Sequence, residues 1–314
     1  MSTSRVNLEK YRIPLAEIIQ ATKHFSSETL VGDGGFSMVY RGQLSNHWEN
    51  QQYATNRSLD YHLNDPDKRS RLTWEQRLKI CLGTARGVNY LHSGLGKHCR
   101  VIHTDFKSAN VLLDENMEAK ICDFGLSRFC PRNQQDTLVR TRPCGTRCYI
   151  DPVYNERGRL SKECDIYSFG VVMFEVSSGM MAYKLRPLKD TNELFLIDIV
   201  RSYYDDHGLV DGLDRLKDPT IKDQIDMRSF HKFNEIAHEC INMDRKKRPT
   251  MDKIIKAIEE ALDFQERLLP QDYQEIIARA VPPLDFGSKK QLYFCLSDSH
   301  TFLNDGYLVN RPSL

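Results

Sequence analysis

Residues 103–110 read His103-Thr104-Asp105-Phe106-Lys107-Ser108-Ala109-Asn110, and thirteen residues beyond that asparagine stands Asp123-Phe124-Gly125. Around them short apolar runs, Val101–Ile102, Val111–Leu113 and Ile121–Cys122, alternate with polar residues, the pattern of short strands about a loop. Upstream, Thr73 and Gln76 form a capping box, and Leu78, Leu82, Ala85 and Val88 give the helix they open an apolar face. Downstream, residues 162–178 predict a helix apolar nearly all round, hence buried, which Gly179 can end. Phe233, Ile236, Ala237, Cys240 and Ile241 mark another helix. Thr250 caps a last one carrying Ile254, Ile255, Ile258, Ala261 and Leu262. Toward the N-terminus, residues 14–24 predict a short amphipathic helix, and residues 30–44 read as strand, glycine turn, strand. Residues 45–72 are polar and irregular, with a weak helical patch at Leu59–Leu63 before Pro66, and after about residue 268 the pattern weakens. The outline is α+β: a small β-containing front and a large helical back.

The 314 residues suit one large domain, or one domain plus a fragment. At 40% hydrophobic residues the chain can bury a sizeable core, which excludes wholesale disorder. A net charge of +1 supplies no general attraction to nucleic acid or to an anionic membrane. The most apolar run, Phe169–Val176, is far shorter than the roughly 20 residues a bilayer span needs. The start, MSTSRVNLEK, lacks the apolar stretch of a secretory signal. Nine cysteines form no CxxC pair, and no histidine cluster completes a zinc site beside Cys144 and Cys148, so free thiols in a reducing compartment are expected.

Four segments in order then carry a resemblance: Gly32-Asp33-Gly34-Gly35-Phe36-Ser37-Met38-Val39 in the strand–turn–strand, the 103–110 stretch, Asp123-Phe124-Gly125, and Asp165 in DIYSFGVV with Arg248-Pro249-Thr250 closing the series. Any one is weak; together they resemble the protein kinases from about residue 15 to 266. The lead-in IIQATKHFSSETLVGDGGFSMVYRG and the stretches RSLDYHL and LTWEQRLKICLGTARGVNYLH look like those of plant receptor-like kinases. The resemblance implies a bilobal fold and ATP and Mg²⁺ as cofactors. It implies that Asp105 orients the attacking hydroxyl and accepts its proton, that Lys107 sets a cation on the transferring phosphoryl group, and that Asn110 and Asp123 ligate Mg²⁺. Lysine at 107 is what serine/threonine-type members show. Gly32, Gly34, Val39, Ala54 and Leu112 would surround the nucleotide. Thr146 would bridge the substrate loop to the catalytic acid, Asp165 would brace the catalytic loop, and His103, Phe124 and Arg248 would be structural. The resemblance sets Thr137 and Thr141 on the activation segment, where they could be phosphorylated, although no modification is the expectation for a surface threonine.

The sequence also departs from the family. The lysine that orients ATP is missing: after Tyr40-Arg41-Gly42-Gln43-Leu44 only SNHWENQQ precedes Tyr53-Ala54-Thr55-Asn56-Arg57-Ser58-Leu59, which looks like the hinge and following helix. Three strands and a helix need about 40–50 residues. The first lysine after the glycine loop, Lys68, lies beyond the hinge. Thr104 replaces the arginine that usually precedes the catalytic acid, Val153 replaces the glutamate that usually pairs with the arginine at 248, and Ser37 stands for the third glycine.

The reading is therefore three parts: a lead-in, 1–29, with a short helix; a protein-kinase-like domain, 30–268, with an incomplete small lobe at 30–52 and a large lobe at 53–268; and a tail, 269–314, faintly similar to the start of a phloem-lectin-like domain. The expected function is ATP-dependent phosphoryl transfer to protein hydroxyls in receptor-like kinase signalling, impaired by the missing segment. The alternatives are a pseudokinase or dominant-negative binding module, and an incomplete gene model. Expected partners are a protein substrate or a full-length kinase or receptor, with no nucleic acid and no transmembrane segment. The expected location is cytoplasmic, at the plasma membrane only through a receptor.

Overall fold

The Thr73–Gln76 capping box forms as its sequence dictates: the Thr73 amide donates to Gln76 Oε1 at 3.1 Å, and the Gln76 amide donates to Thr73 Oγ1 at 3.3 Å. It is seen in a computed structural model that describes residues 14–34, 37–42, 56–93, 99–131, 139–187, 193–267, 292–297, 301–304 and 307–310. In chain order the elements are α1 (Leu15–Ala21), β1 (Leu30–Gly34), β2 (Ser37–Gly42), α2 (Leu59–Asn64), α3 (Pro66–Arg71), α4 (Trp74–Ser93), β3 (Cys99–Ile102), β4 (Val111–Leu113), β5 (Ala119–Ile121), β6 (Arg128–Pro131) and β7 (Val139–Arg140). There follow α5 (Pro152–Arg157), β8 (Arg159–Leu160), α6 (Lys162–Ser178), β9 (Arg186–Pro187), β10 (Glu193–Leu194), α7 (Leu196–Asp214), α8 (Met227–Cys240), α9 (Met251–Glu266), β11 (Leu292–Ser297), β12 (Thr301–Asn304) and β13 (Tyr307–Asn310). The fold is α+β, with a small strand-bearing unit and a large, mainly helical one.

In the large unit, Leu78, Leu82, Ala85 and Val88 are buried on α4, as their spacing requires. The α6 helix is buried from Cys164 to Ser178 and ends at Gly179 with φ +66°, a conformation that costs a side chain but not glycine. Its Gly170 lets the helix pack closely on α8: a Cβ there would lie 2.7 Å from the Cys240 Cβ. Trp74 is fully buried against Phe230 and Phe233, and its indole N–H donates to Ser229 Oγ at 2.8 Å. Thr250 caps α9 by accepting the Lys253 amide at 3.3 Å.

Three helices went unread. Pro66 does not simply end a helical patch; it starts α3, with Asp65 as N-cap accepting the Asp67 and Lys68 amides at 3.0 and 3.2 Å. Proline suits the first helical position because its missing N–H would be unpaired there anyway. The others are α5 and α7.

The small unit contains α1, β1 and β2. Phe25 packs edge-on to Tyr40 with ring centroids 5.3 Å apart. A two-stranded ribbon is marginal in water and leaves an open edge. Here the tail supplies a third strand: β11 pairs antiparallel with β2 from Leu292↔Gly42 to Ser297↔Ser37, giving the order β1-β2-β11. The sequence reading set this tail, 269–314, apart from the kinase-like domain. The β12–β13 hairpin follows in the same unit.

Candidate active site

The catalytic-loop stretch lies between β3 and β4, two short strands held by β6 and β5. Buried Asp165, near the start of α6, anchors it. Its Oδ2 accepts the His103 amide at 2.8 Å and its Oδ1 accepts the Thr104 amide at 2.9 Å, while His92 Nε2 lies 2.9 Å from Oδ2. Thr104 is held at φ +75°, a strained angle for a branched residue that these contacts stabilise. His103 Nε2 donates to the Cys122 carbonyl at 2.9 Å, tying the loop to the residue before Asp123. The rings of His103, Phe106 and Phe169 meet edge-on in sequence below it.

On this base the buried Asp105 is held in place, with Oδ1 accepting both the amide and the hydroxyl of Thr146 at 2.8 Å. Lys107 Nζ lies 3.1 Å from Asp105 Oδ2 and donates to Thr146 Oγ1 at 3.1 Å. Asn110 Nδ2 donates to the Asp105 carbonyl at 2.8 Å, which orients the amide and leaves its oxygen as the remaining ligand atom. Gly145, at φ +126°, permits the close approach of the Thr146 segment, since a Cβ would meet the Thr104 carbonyl at 3.0 Å. Asp105, Lys107, Asn110, Thr146, His103 and Asp165 thus form one constellation around a carboxylate. That carboxylate keeps a lysine ammonium and a hydroxyl in reach, which suits taking a proton from an alcohol.

Arg248 resolves the loss of the glutamate at 153. It pairs with Asp151 in a buried two-pronged ion pair, Nη1–Oδ2 at 2.9 Å and Nη2–Oδ1 at 3.0 Å, and Nε donates to the Asn242 carbonyl. Arg245 joins from the other side at 2.7 Å. Burial alone would raise the Asp151 carboxyl, but Arg248 and Arg245 hold it below the usual range. The acid two positions before Val153 is the signal that reading one family position at a time missed.

The remaining site residues lie elsewhere. Gly32 and Gly34 sit in β1, in register with Val39 and Ser37, in the small unit. Asp123 belongs to that unit too, at φ +62°, and Phe124 is 37% exposed. Leu112 lies in β4, bridged to Ser58. Ala54 and Thr137 fall outside the described residues. Lys68 is committed on α3, paired with Asp65 and set 4.2 Å over the Tyr61 ring. Among the described residues no group of three or more His, Cys, Asp or Glu forms a metal cluster. The oxygen donors of Asn110 and Asp123 have the hard chemistry that Mg²⁺ requires.

A family model described as "Protein kinase domain" matches residues 46–258, more than half of the chain. The chain belongs to the protein kinase family. It is similar to the receptor-like protein kinase HERK 1 of Arabidopsis thaliana, at 33% identity over 334 residues covering 90% of this chain and 39% of that protein. It is also similar to the proline-rich receptor-like protein kinase PERK8, at 31% identity covering 84% and 45%, and to the probable serine/threonine-protein kinase PBL28, at 32% covering 78% and 77%, both from the same plant. The chain thus spans less than half the length of these receptor-like relatives. Among the described residues no helix of this kinase is long and apolar enough to cross a membrane. Cys81, Cys122, Cys130, Cys144, Cys148, Cys164 and Cys240 are free thiols, as expected.

Proposed function

We propose that this chain is a serine/threonine-type member of the family whose phosphoryl transfer is impaired. The observation that carries the reading is the Asp105–Lys107–Thr146–Asn110 constellation, complete in the large unit. There Asp105 would orient a substrate hydroxyl and take its proton, and Lys107 would offset charge on the phosphoryl group. Asn110 and Asp123 would hold Mg²⁺, and Gly32 and Gly34 would let backbone approach the phosphates, the group that ATP supplies.

The impairment follows from sequence. No lysine stands between the glycine strand and α2, and a preorganised cation on developing charge is worth several kcal/mol. The match to HERK 1 supports it: at 334 residues it is longer than this chain, so that relative carries residues inside the matched region that have no counterpart here. A second reading, a pseudokinase that binds a protein partner of a full-length relative, is favoured by the same missing lysine.

The purified chain with Mg·ATP and a serine- and threonine-bearing protein substrate is expected to transfer little or no phosphate, with Asp105→Asn changing that residue of activity little. Robust transfer abolished by the substitution would overturn the impairment. A thermal-shift titration with Mg·ATP separates the two readings: a rising midpoint supports a nucleotide site, and a flat curve leaves only the binding module. Transcript sequence across residues 44–53 shows whether an omitted exon accounts for the short junction.

A further inference from the structure

Four arginines that the phosphoryl-transfer chemistry does not use converge elsewhere on the large unit. Arg140, Arg142, Arg157 and Arg159 line an open concavity of about 720 Å³ with Thr141 and Gly158. All four are exposed. The only ion pair that holds any of them among the described residues is Arg157 to its exposed neighbour Glu156, at 3.7 Å.

The backbone beneath them is fixed. β7 pairs with β8, and the Thr141 amide donates to the Gly158 carbonyl at 3.0 Å. Gly158, at φ +61°, is required there, because a Cβ would meet the Thr141 carbonyl at 2.9 Å. Tyr154 OH donates to the Arg142 carbonyl at 3.1 Å, and Arg245 Nη1 donates to the Arg159 carbonyl at 2.7 Å. The register sets Arg140 directly opposite Arg159. Like charges facing each other across a ladder destabilise it. Two guanidiniums are thus opposed on a fixed ladder, and those of Arg142 and Arg157 flank it on the same concavity, an arrangement suited to receive an anion.

We propose that this concavity binds the phosphate of a phosphorylated side chain in a partner protein. A carboxylate offers two oxygens and one charge, enough for a single guanidinium fork. A phosphomonoester brings close to two negative charges and three acceptor oxygens, enough to pair with several forks at once. The site is independent of catalysis and holds for either reading of the chain's activity.

The test is fluorescence anisotropy on the full chain, treated with phosphatase and checked by intact mass so that no phosphate of its own occupies the concavity. The probe is a labelled twelve-residue Gly/Ala/Ser peptide carrying one central phosphoserine, with its serine counterpart as reference. The phosphopeptide is expected to bind at least about 10-fold more tightly than the serine peptide and to weaken as salt rises. The double variant Arg140→Gln/Arg159→Gln is expected to lose that preference while its melting midpoint stays level or rises, because the opposed charges are gone. Arg142→Gln, which leaves the opposed pair intact, is expected to weaken phosphopeptide binding at least about three-fold, whereas Arg86→Gln, far along the exposed face of α4, is expected to change nothing. Equal affinity for the two peptides, or a preference kept by both concavity variants, would overturn the proposal. So would arginine-dependent co-sedimentation with phosphatidylserine vesicles in the absence of phosphopeptide binding, which would assign the concavity to a membrane.

Discussion

Asp151 shows how a single position can be rebuilt by its neighbours. The sequence lacks an acid at 153, yet a bidentate partner for Arg248 reaches it from two positions earlier. Removing one partner of such a buried pair costs about 3–5 kcal/mol. Because Arg245 still partners Asp151, Arg248→Ala should lower urea-unfolding stability by less than that, about 2 kcal/mol, and a loss below about 1 kcal/mol, the value of an exposed pair, would mean the buried pair does not stabilise the fold. Glu175 makes a different kind of contribution. It is fully buried beneath the catalytic loop, where Oε1 accepts Tyr149 OH at 2.6 Å and the Ala182 amide at 2.8 Å. Burial raises its carboxyl to about 7. The unfolded chain ionises this group at its ordinary value, about 4.3, so between there and pH 7 the folded state holds a proton that the unfolded state has released. Stability from this group is therefore greatest at low pH, declines by about 3 kcal/mol as pH rises to 7, and is level above. Glu175→Gln should flatten that decline in denaturation midpoints taken at pH 5 and 7.5; an unchanged slope would remove Glu175 as its source.

Among the elements, helices with local signals were legible and a strand recruited from far along the chain was not. Thr73 with Gln76, Gly179 and Thr250 mark helix ends through hydrogen bonds and backbone angles that need only neighbouring residues. The α3 start was written in Asp65-Pro66 as well, but proline also reads as a breaker, and α2 immediately before it invited that reading. β11 is another matter. Residues 292–297 could pair with any open edge, and among the described residues nothing nearer in sequence fills the free side of β2. A chain ending at residue 285 should leave that edge open. Hydrogen exchange at residues 37–42 is then expected to speed up at least about 10-fold, the mark of local opening, while α4 and α6 keep their protection. Unchanged exchange at 37–42 would show that β11 does not complete the sheet.

At the scale of the whole molecule, the large unit carries its own contiguous core, from Leu59 through Trp74 and Phe169 to Ala261. Residues 56–267 are therefore expected to unfold alone in one cooperative transition, with Trp74 fluorescence and far-ultraviolet circular dichroism coinciding; separated curves would mean the core needs the rest of the chain. The order of motifs from Gly32 to Arg248 determined the family, the α+β class and most of the candidate site, because those residues are recognised by type and spacing, which folding does not alter. Hydrophobic periodicity and caps determined α4, α6, α8 and α9 for the same reason, being local. Tertiary structure alone decided that Asp151 holds Arg248, that the tail gives the small sheet its third strand, and that Arg140 and Arg142 meet Arg157 and Arg159 across a ladder. Each of these joins residues through space whose separation along the chain carries no signal; the first is selected by buried charge that must find a partner and the second by an open backbone edge.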